Sequence, residues 1–158
     1  MDGLPKIYLT KQGVQRIKEE YENLLKIRKA KLRKEDINLL HSDEFNAEFV
    51  AFHEDFDILE ARIEELEHII KNFEIIKMPA KKDRTAIKLG AQVLVEVDGQ
   101  DDEFMIVGTL EANPSAGKIS DESPVGKALI DRKVGDEVTI NSPAHIETIF
   151  KIKKIKYN

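Results

Sequence analysis

The chain contains no cysteine and no long apolar run. Without cysteine it has no disulfides, no thiolate metal site and no cysteine nucleophile, and a reducing compartment is favoured. No apolar run approaches the ~20 residues that a membrane span requires. Met1 is followed by Asp2 and Pro5 rather than by the basic and then apolar stretch of a signal peptide. We therefore expect a cytoplasmic protein with no membrane contact.

Two common ways of binding a ligand are also disfavoured. The four histidines never fall at a helical metal-binding spacing such as H-E-x-x-H, so a histidine metal site is not expected (His41, His53, His68 and His145). Lys and Arg number 25 against 30 Asp and Glu, for a net charge of −5. This balance argues against a protein that coats duplex nucleic acid by charge alone, although a local basic patch is compatible with it.

Periodic apolar residues among many charges fill the first half of the chain. Thr10 can cap a helix, and Leu9 and Val14 have the spacing of a hydrophobic staple around it. Apolar residues then recur at steps of three and four, with charged residues between them, at Val14, Ile17, Tyr21 and Leu24. This pattern predicts a helix that begins near Thr10.

A second apolar stripe has the spacing of a coiled coil. It alternates steps of three and four without a gap at Phe49, Phe52, Phe56, Leu59, Ile63, Leu66, Ile70 and Phe73. The polar segment between the stripes is short, so the second helix must fold back along the first. Helices of this length extend on the order of 40 Å, since each residue adds ~1.5 Å. We therefore predict a long antiparallel helical hairpin, with an acidic tip near residues 41–48, that projects from the rest of the protein.

The pattern changes after the second stripe. Pro79 and the charged residues that follow indicate a linker. Beyond it, alternation with period two predicts strands near residues 93–97, 104–107, 136–140 and 148–155, and residues 124–130 suit one short helix. The predicted class is α+β, with a hairpin domain at 1–77, a linker at 78–85 and a β-rich domain at 86–158.

Three separated motifs carry a resemblance to a known family. They are Leu9-Thr10-x-x-Gly13, then Asn46-Ala47-Glu48-Phe49, then Ser123-Pro124-Val125-Gly126-Lys127-Ala128-Leu129 followed by Val134-Gly135-Asp136-Glu137-Val138. In this order and spacing the chain resembles the bacterial GreA/GreB transcript cleavage factors over nearly its full length. The resemblance implies a C-terminal domain similar to FKBP-type domains and a hairpin that enters the secondary channel of RNA polymerase.

The same resemblance implies the activity and the partners. The chain would be a monomer that binds bacterial RNA polymerase and the 3′ end of nascent RNA. It would not be an enzyme itself, because the polymerase's own metal centre cleaves the backtracked RNA. The isolated chain would bind no cofactor; two acidic residues at the tip of family members help hold a second Mg²⁺ in the polymerase active site. Mg²⁺ prefers oxygen ligands and needs only one or two carboxylates from a visiting protein.

The tip of this chain departs from the family pattern, which reads Gly-Asp-x-x-Glu-Asn-Ala-Glu-Tyr. A gapless comparison from Asn46 places Ser42 and Phe45 at the two acidic positions, whereas a gapped one places Asp43 and Glu44 there. The resemblance then gives Asp43 and Glu44 as the catalytic, metal-holding residues. A purely structural reading is that acids here favour the positive end of the second helix.

The resemblance also implies two contact surfaces. Polymerase binding falls on Asp121, Ser123 and Pro124, where a structural reading is that Ser123 caps the short helix and Pro124 occupies its first position. RNA contact falls on the basic run of Arg28, Lys29, Lys31, Arg33 and Lys34. The alternative for this run is a solvated helix face balanced by acids such as Glu60, Glu64 and Glu65.

Two other functions compete with transcript cleavage. The altered tip is compatible with a secondary-channel regulator that inhibits polymerase without stimulating cleavage. A coiled-coil interaction module with prolyl isomerase activity is a third interpretation. It is disfavoured because the short turn favours pairing within one chain, and because after Phe104 only Phe150 and Tyr157 could line an aromatic pocket.

Overall fold

The computed structural model describes residues 5–39, 47–141, 143–144 and 146–158, and it describes their side chains except at 35–39 and 48. The chain divides into two compact units. One comprises residues 12–73, and the other combines residues 74–158 with the N-terminal residues up to Lys11. This division differs from the predicted boundary at residue 77, because residues 5–11 pack with the β-rich unit rather than with the hairpin.

Two long helices form the first unit. Helix α1 spans Lys11–Leu39 and helix α2 spans Ala47–Asn72. Glu20 of α1 pairs with Arg62 of α2, and further along α1 Arg28 lies 3.5 Å from Glu60. Because the residue number rises along one helix while it falls along the other, the helices are antiparallel. The predicted helical hairpin is confirmed.

The seam between the two helices is built by the second apolar stripe. Leu59, Ile63 and Leu66 are buried at the positions that the spacing predicts. The seam differs from the prediction near its end, where Ile69 is 5% exposed while its neighbour Ile70 is only half-buried. Burial of this stripe provides most of the stability of the pair, since isolated helices gain little from intrinsic propensity.

A small two-stranded sheet was not predicted. Strand β1 spans Ile7–Leu9 and pairs with strand β2, Phe73–Ile75, so α2 ends at Asn72 and Phe73 begins a strand. The amide of Ile76 continues this pairing by donating to the carbonyl of Leu9 at 2.8 Å. Leu9 is fully buried, and Tyr8 lies against Gly108 of the β-rich unit, where a Cβ atom would collide with the Tyr8 carbonyl oxygen.

The second unit contains a five-stranded sheet in the order β5-β4-β3-β7-β6. Its strands are β3 Gln92–Val97, β4 Gln100–Val107, β5 Lys118–Ser120, β6 Glu137–Asn141 and β7 Glu147–Lys156. The pairings are antiparallel except for that of β4 with β5. The four predicted strands are present, whereas the short β5 and three single turns of 3-10 helix, at Lys81–Asp83, Thr109–Glu111 and Pro114–Ala116, were not predicted.

One helix covers this sheet. Helix α3 spans Pro124–Leu129, as predicted, and Leu129 is buried against the inner face of the sheet. Residues of four strands meet it there, at Val93 and Val95 of β3, Ile106 of β4, Val138 of β6 and Ile152 of β7. The hairpin, this sheet and its helix confirm the predicted α+β class.

Candidate functional site

The predicted catalytic acids lie between the two long helices. Asp43 and Glu44 are outside the residues that the structure describes, as are Ser42 and Phe45, which the gapless comparison puts in their place. The described part fixes their position in the chain: α1 ends at Leu39 and α2 begins at Ala47. The acids therefore belong to the segment that joins the two helices.

Aromatic rings pack along the first half of α2, beside that segment. Phe49 and His53 meet edge to face with centroids 4.3 Å apart, and Phe52 stacks on Phe56 at 5.9 Å. All three phenylalanines are half-buried, whereas His53 is exposed. Both ring pairs join residues four apart in α2, and such pairs stabilise the helix that carries them.

Two members of the basic run of α1 contact α2. The guanidinium of Arg28 lies 3.5 Å from the carboxylate of Glu60, and both side chains are roughly two-thirds buried. The ammonium of Lys31 lies 5.7 Å from the centroid of the Phe52 ring, in a cation–π contact. These two residues lie three apart, hence on one side of the helix. As expected for the basic run, the acid Glu60 balances the charge of Arg28.

The other three members of the run are exposed. Lys29 and Arg33 are four residues apart and share a side of the helix, and Lys34 adjoins them. The run therefore separates into two residues that pack against α2 and three that face water. Among the residues that the structure describes, contacts with α2 are seen for Arg28 and Lys31, whereas the other three cationic groups face water.

The predicted polymerase-binding residues form one turn before α3. The Ser123 hydroxyl accepts from the amide of Gly126 at 3.0 Å and donates to the carbonyl of Ser120 at 2.7 Å. Pro124 follows at the first helical position and is exposed. The structural role foreseen for Ser123 and Pro124 is thus confirmed, and the turn presents the proline outward.

This turn is possible only because Gly126 has no side chain. A Cβ atom there would collide with the carbonyl oxygen of Ser120. Gly126 is buried, so its Cα lies directly against the backbone of Ser120 and Asp121. The Ser-Pro-Val-Gly order therefore encodes the shape of the turn.

Asp121 is only half exposed at the start of the same turn, and its amide donates to the carbonyl of Val107 at 3.0 Å. Partial burial raises the pKa of this carboxyl above its ordinary value, and the neighbouring charge of Glu122 adds to the increase. Asp121 therefore holds its negative charge at a cost to the folded state.

Comparison with known proteins decides the family. Residues 7–75 match the family described as "Transcription elongation factor, N-terminal", and residues 81–157 match "Transcription elongation factor, GreA/GreB, C-term". The chain is 36% identical over 140 residues to transcription elongation factor GreA of Thermomicrobium roseum, covering 87% of this chain and 90% of that protein. It is 37% identical over 156 residues to GreA of Clostridium acetobutylicum, covering 96% and 97%. The chain belongs to the GreA/GreB family.

Solved structures of the family are also similar. The Gfh1 protein of Thermus thermophilus is 27% identical, with a TM-score of 0.43, over 96% of this chain and 99% of that one. The GreA/GreB factor of Nitrosomonas europaea is 19% identical, with a TM-score of 0.42, over 96% and 100%.

Membership of the GreA/GreB family makes this chain a transcription elongation factor and implies RNA polymerase as its partner. Within the described ranges, no group of three or more His, Asp or Glu side chains is arranged to hold a metal ion. None of the helices that the structure describes is both long and apolar enough to cross a membrane.

One buried acid of this GreA/GreB chain was not predicted from its sequence. Glu111 is 7% exposed in the turn after β4, and its carboxylate accepts two hydrogen bonds from Thr10. Its partner is 101 residues away along the chain, so no local pattern indicates the contact. The sequence feature that comes closest to indicating a buried acid is that Glu111 lies in a short apolar stretch with no cationic neighbour.

Proposed function

We propose that this chain binds bacterial RNA polymerase, inserts its helical hairpin into the secondary channel and stimulates cleavage of backtracked nascent RNA. The observation that carries the proposal is the antiparallel pair of long helices, joined by a segment that contains Asp43 and Glu44. Family membership supplies the partner.

The hairpin is suited to carry a group over a distance. Its helices contain 29 and 26 residues, so each is about 40 Å long at 1.5 Å per residue. The Arg62–Glu20 and Arg28–Glu60 pairs join the two helices, and Ile63 and Leu66 are buried on α2. A pair of helices packed in this way is much stiffer than a loop of the same reach.

The chemistry of the joining segment fits a shared magnesium ion. The carboxylates of Asp43 and Glu44 are oxygen ligands of the kind that Mg²⁺ prefers. When bound between the two proteins, this ion would activate water for hydrolysis. The part played by the chain is to bring the two carboxylates to the polymerase active site and to keep them there, while the isolated chain holds no cofactor of its own.

The exposed cations of α1 supply a contact for RNA. Lys29, Arg33 and Lys34 face water, whereas Arg28 and Lys31 are engaged with α2. Phosphate contacts from such side chains position an RNA strand without reading its sequence. We therefore assign the 3′ segment of the nascent RNA mainly to the exposed three.

The turn before α3 binds polymerase. Ser123 and Gly126 fix its shape, and Pro124 and Asp121 present an apolar edge and a negative charge beside it. The protein would act as a cytoplasmic monomer, with one hairpin for each polymerase.

An inhibitory function is the second candidate, and one observation favours it. The gapless comparison puts Ser42 and Phe45 at the family's acidic positions, and neither side chain offers a carboxylate. A hairpin with such a tip would occupy the channel and slow nucleotide addition without promoting hydrolysis.

The deciding experiment uses a stalled, backtracked elongation complex in the presence of Mg²⁺, with the length of the RNA followed over time. We expect the protein to shorten the RNA, and Asp43→Asn and Glu44→Gln each to reduce the rate by about tenfold or more, as loss of a charged group at a reacting centre does. Glu54→Gln is the matched control, because Glu54 is exposed on α2. No shortening, together with slower nucleotide addition, would contradict the cleavage proposal and favour inhibition.

The RNA contact is tested in the same complex. Replacing Lys29, Arg33 and Lys34 together by Gln should weaken crosslinking of the factor to the RNA 3′ segment and reduce its dependence on salt. The control replaces Lys77, Lys81 and Lys82, three exposed lysines of the β-rich unit. If the control loses as much crosslinking as the test variant, the contact is not specific to α1.

A further inference from the structure

A buried carboxylate holds the residue from which α1 starts. Both donors of Thr10 point to Glu111: its amide lies 2.6 Å from Oε2 and its hydroxyl 2.6 Å from Oε1. Thr10 directly precedes the first residue of the helix, Lys11. One residue therefore binds both oxygens of the carboxylate. Two such bonds fix the orientation of Thr10 relative to the carboxylate of Glu111 as well as the distance between them.

The contact is of a strong kind. Hydrogen bonds to an ionised carboxylate are roughly twice as strong as neutral ones, and their strength grows where water is excluded. Glu111 is 7% exposed, so its charge is largely removed from water. A carboxylate buried to this extent is costly unless its oxygens are satisfied, and here Thr10 satisfies both.

The strand before Thr10 is also held by contacts with the β-rich unit. Leu9 is fully buried, and its carbonyl accepts from the amide of Ile76 at 2.8 Å. Tyr8 runs so close to Gly108 that any Cβ atom at Gly108 would collide with the Tyr8 carbonyl oxygen. The strand before Thr10 therefore packs closely against the backbone at Gly108.

The turn that contains Glu111 also touches the predicted polymerase-binding turn. The hydroxyl of Thr109, two residues before Glu111, lies 3.1 Å from the Ser120 hydroxyl and donates to the Glu122 carboxylate at 3.0 Å. The Ser120 hydroxyl in turn accepts from the amide of Glu122 at 3.1 Å. Glu111 therefore contacts Thr10, the residue before α1, and Thr109 contacts the turn before α3.

We propose that the turn Thr109–Glu111 couples the polymerase contact to Thr10, the residue that directly precedes α1, and that Glu111 is the positioning residue of this coupling. When the turn before α3 is fixed on polymerase, Thr109 and Glu111 fix Thr10, and α1 begins from a defined point. The inference rests on the proposed function, because positioning matters only if the hairpin acts inside polymerase.

The first test concerns the contact itself and needs no polymerase. Hydrogen exchange of the amides of residues 8–12 is compared between the intact protein and Thr10→Val, which keeps the shape of the side chain and removes its hydroxyl. We expect exchange about tenfold faster in Thr10→Val, from the loss of one charge-assisted bond, and wild-type exchange in Thr10→Ser. Unchanged exchange in Thr10→Val would overturn the proposal at this step.

The second test measures the effect on function. At saturating factor, Thr10→Val and Glu111→Leu should lower the maximal rate of RNA cleavage several-fold, while the half-saturating concentration of factor stays constant. The variants still bind polymerase, but they position the carboxylates of the hairpin less well at its active site. Thr10→Ser should restore the rate and Glu111→Gln should fall between, since it keeps one acceptor. Glu103→Gln, an exposed acid of β4, is the control.

The outcomes separate this inference from the proposed function. If the wild-type factor does not stimulate cleavage, the proposed function is wrong. The maximal effect and the half-saturating concentration of each variant are then measured on the rate of nucleotide addition instead. A loss that appears in the half-saturating concentration, with an unchanged maximal effect, shows that Glu111 serves binding and overturns the positioning role. Failure of Thr10→Ser to restore the rate would also overturn it.

Discussion

Arg62 of α2 donates to Glu20 of α1 at 2.7 Å and, from a second nitrogen, to Glu65 of its own helix at 2.8 Å. One guanidinium therefore joins the two helices and is held in place by its own helix at the same time. The bond with Glu20 is the main reason why the pKa of Arg62 is raised. The side chains of Arg62 and Glu20 are each 42% exposed, so solvent screens much of their attraction.

Removal of this pair should loosen the hairpin modestly. Arg62→Met is expected to lower the free energy of unfolding by about 0.5–1 kcal/mol, and less at high salt. The measurement is urea unfolding followed by the helical circular dichroism signal at two salt concentrations. Lys71→Met is the control, because the ion pair of Lys71 is with Glu67 of its own helix. Equal losses in the two variants would show that the pairing between helices adds nothing.

Two isoleucines of α2 test the seam of the hairpin directly. Ile63 is 3% exposed and Ile58 is 71% exposed, although both lie in the same helix. Ile63→Ala leaves a cavity and should lower the free energy of unfolding by about 2–5 kcal/mol, whereas Ile58→Ala should change it by less than about 0.5 kcal/mol. Urea unfolding compares the two. A comparable effect of both substitutions would mean that the seam lies on another face of α2.

Local pattern was sufficient to predict most of the fold. The stripe through Leu59, Ile63 and Leu66 repeats every few residues, so its buried face follows from helix geometry alone. The alternation at Val93 and Val95 identifies β3 in the same way. These signals are strong because each is repeated many times within one element.

Contacts between distant residues could not be predicted in this way. Thr10 reads as a helix cap, and nothing nearby indicates that its hydroxyl donates to Glu111, 101 residues later. The short strand β1 was missed for the same reason, since three residues are too few for a period and its partner strand follows α2. The division of the basic run was also hidden, because it depends on where Phe52 and Glu60 of the other helix lie.

Gly126 should tolerate no side chain. Gly126→Ala would drive its methyl group into the carbonyl of Ser120, so either α3 must move or the turn must open. We expect a loss of about 2 kcal/mol or more in the stability of the β-rich unit, together with weaker binding to polymerase. Thermal unfolding and a polymerase binding assay measure the two effects. Lys127→Ala, an exposed change in the same short helix, should leave both nearly unchanged.

The substitution Asp121→Asn should increase the stability of the protein and weaken its binding to polymerase. Because its pKa is raised in the folded protein, folding favours the protonated carboxyl, and the ionised form costs stability. This cost is absent below the ordinary pKa of 3.8 and develops as the pH rises through the higher folded value. Asp121→Asn, which cannot ionise, should therefore raise the melting temperature at pH 7 and leave it nearly unchanged at pH 3.

The binding half of this prediction is measured at neutral pH. If the charge of Asp121 is retained for polymerase, Asp121→Asn should weaken binding about tenfold, as the loss of one partner in a charged contact does. Glu122→Gln is an instructive comparison, because Glu122 is exposed beside Asp121 and accepts from Thr109. A variant at Asp121 that is both more stable and fully able to bind polymerase would remove this residue from the proposed contact, and the partial burial of its charge would then have no functional explanation.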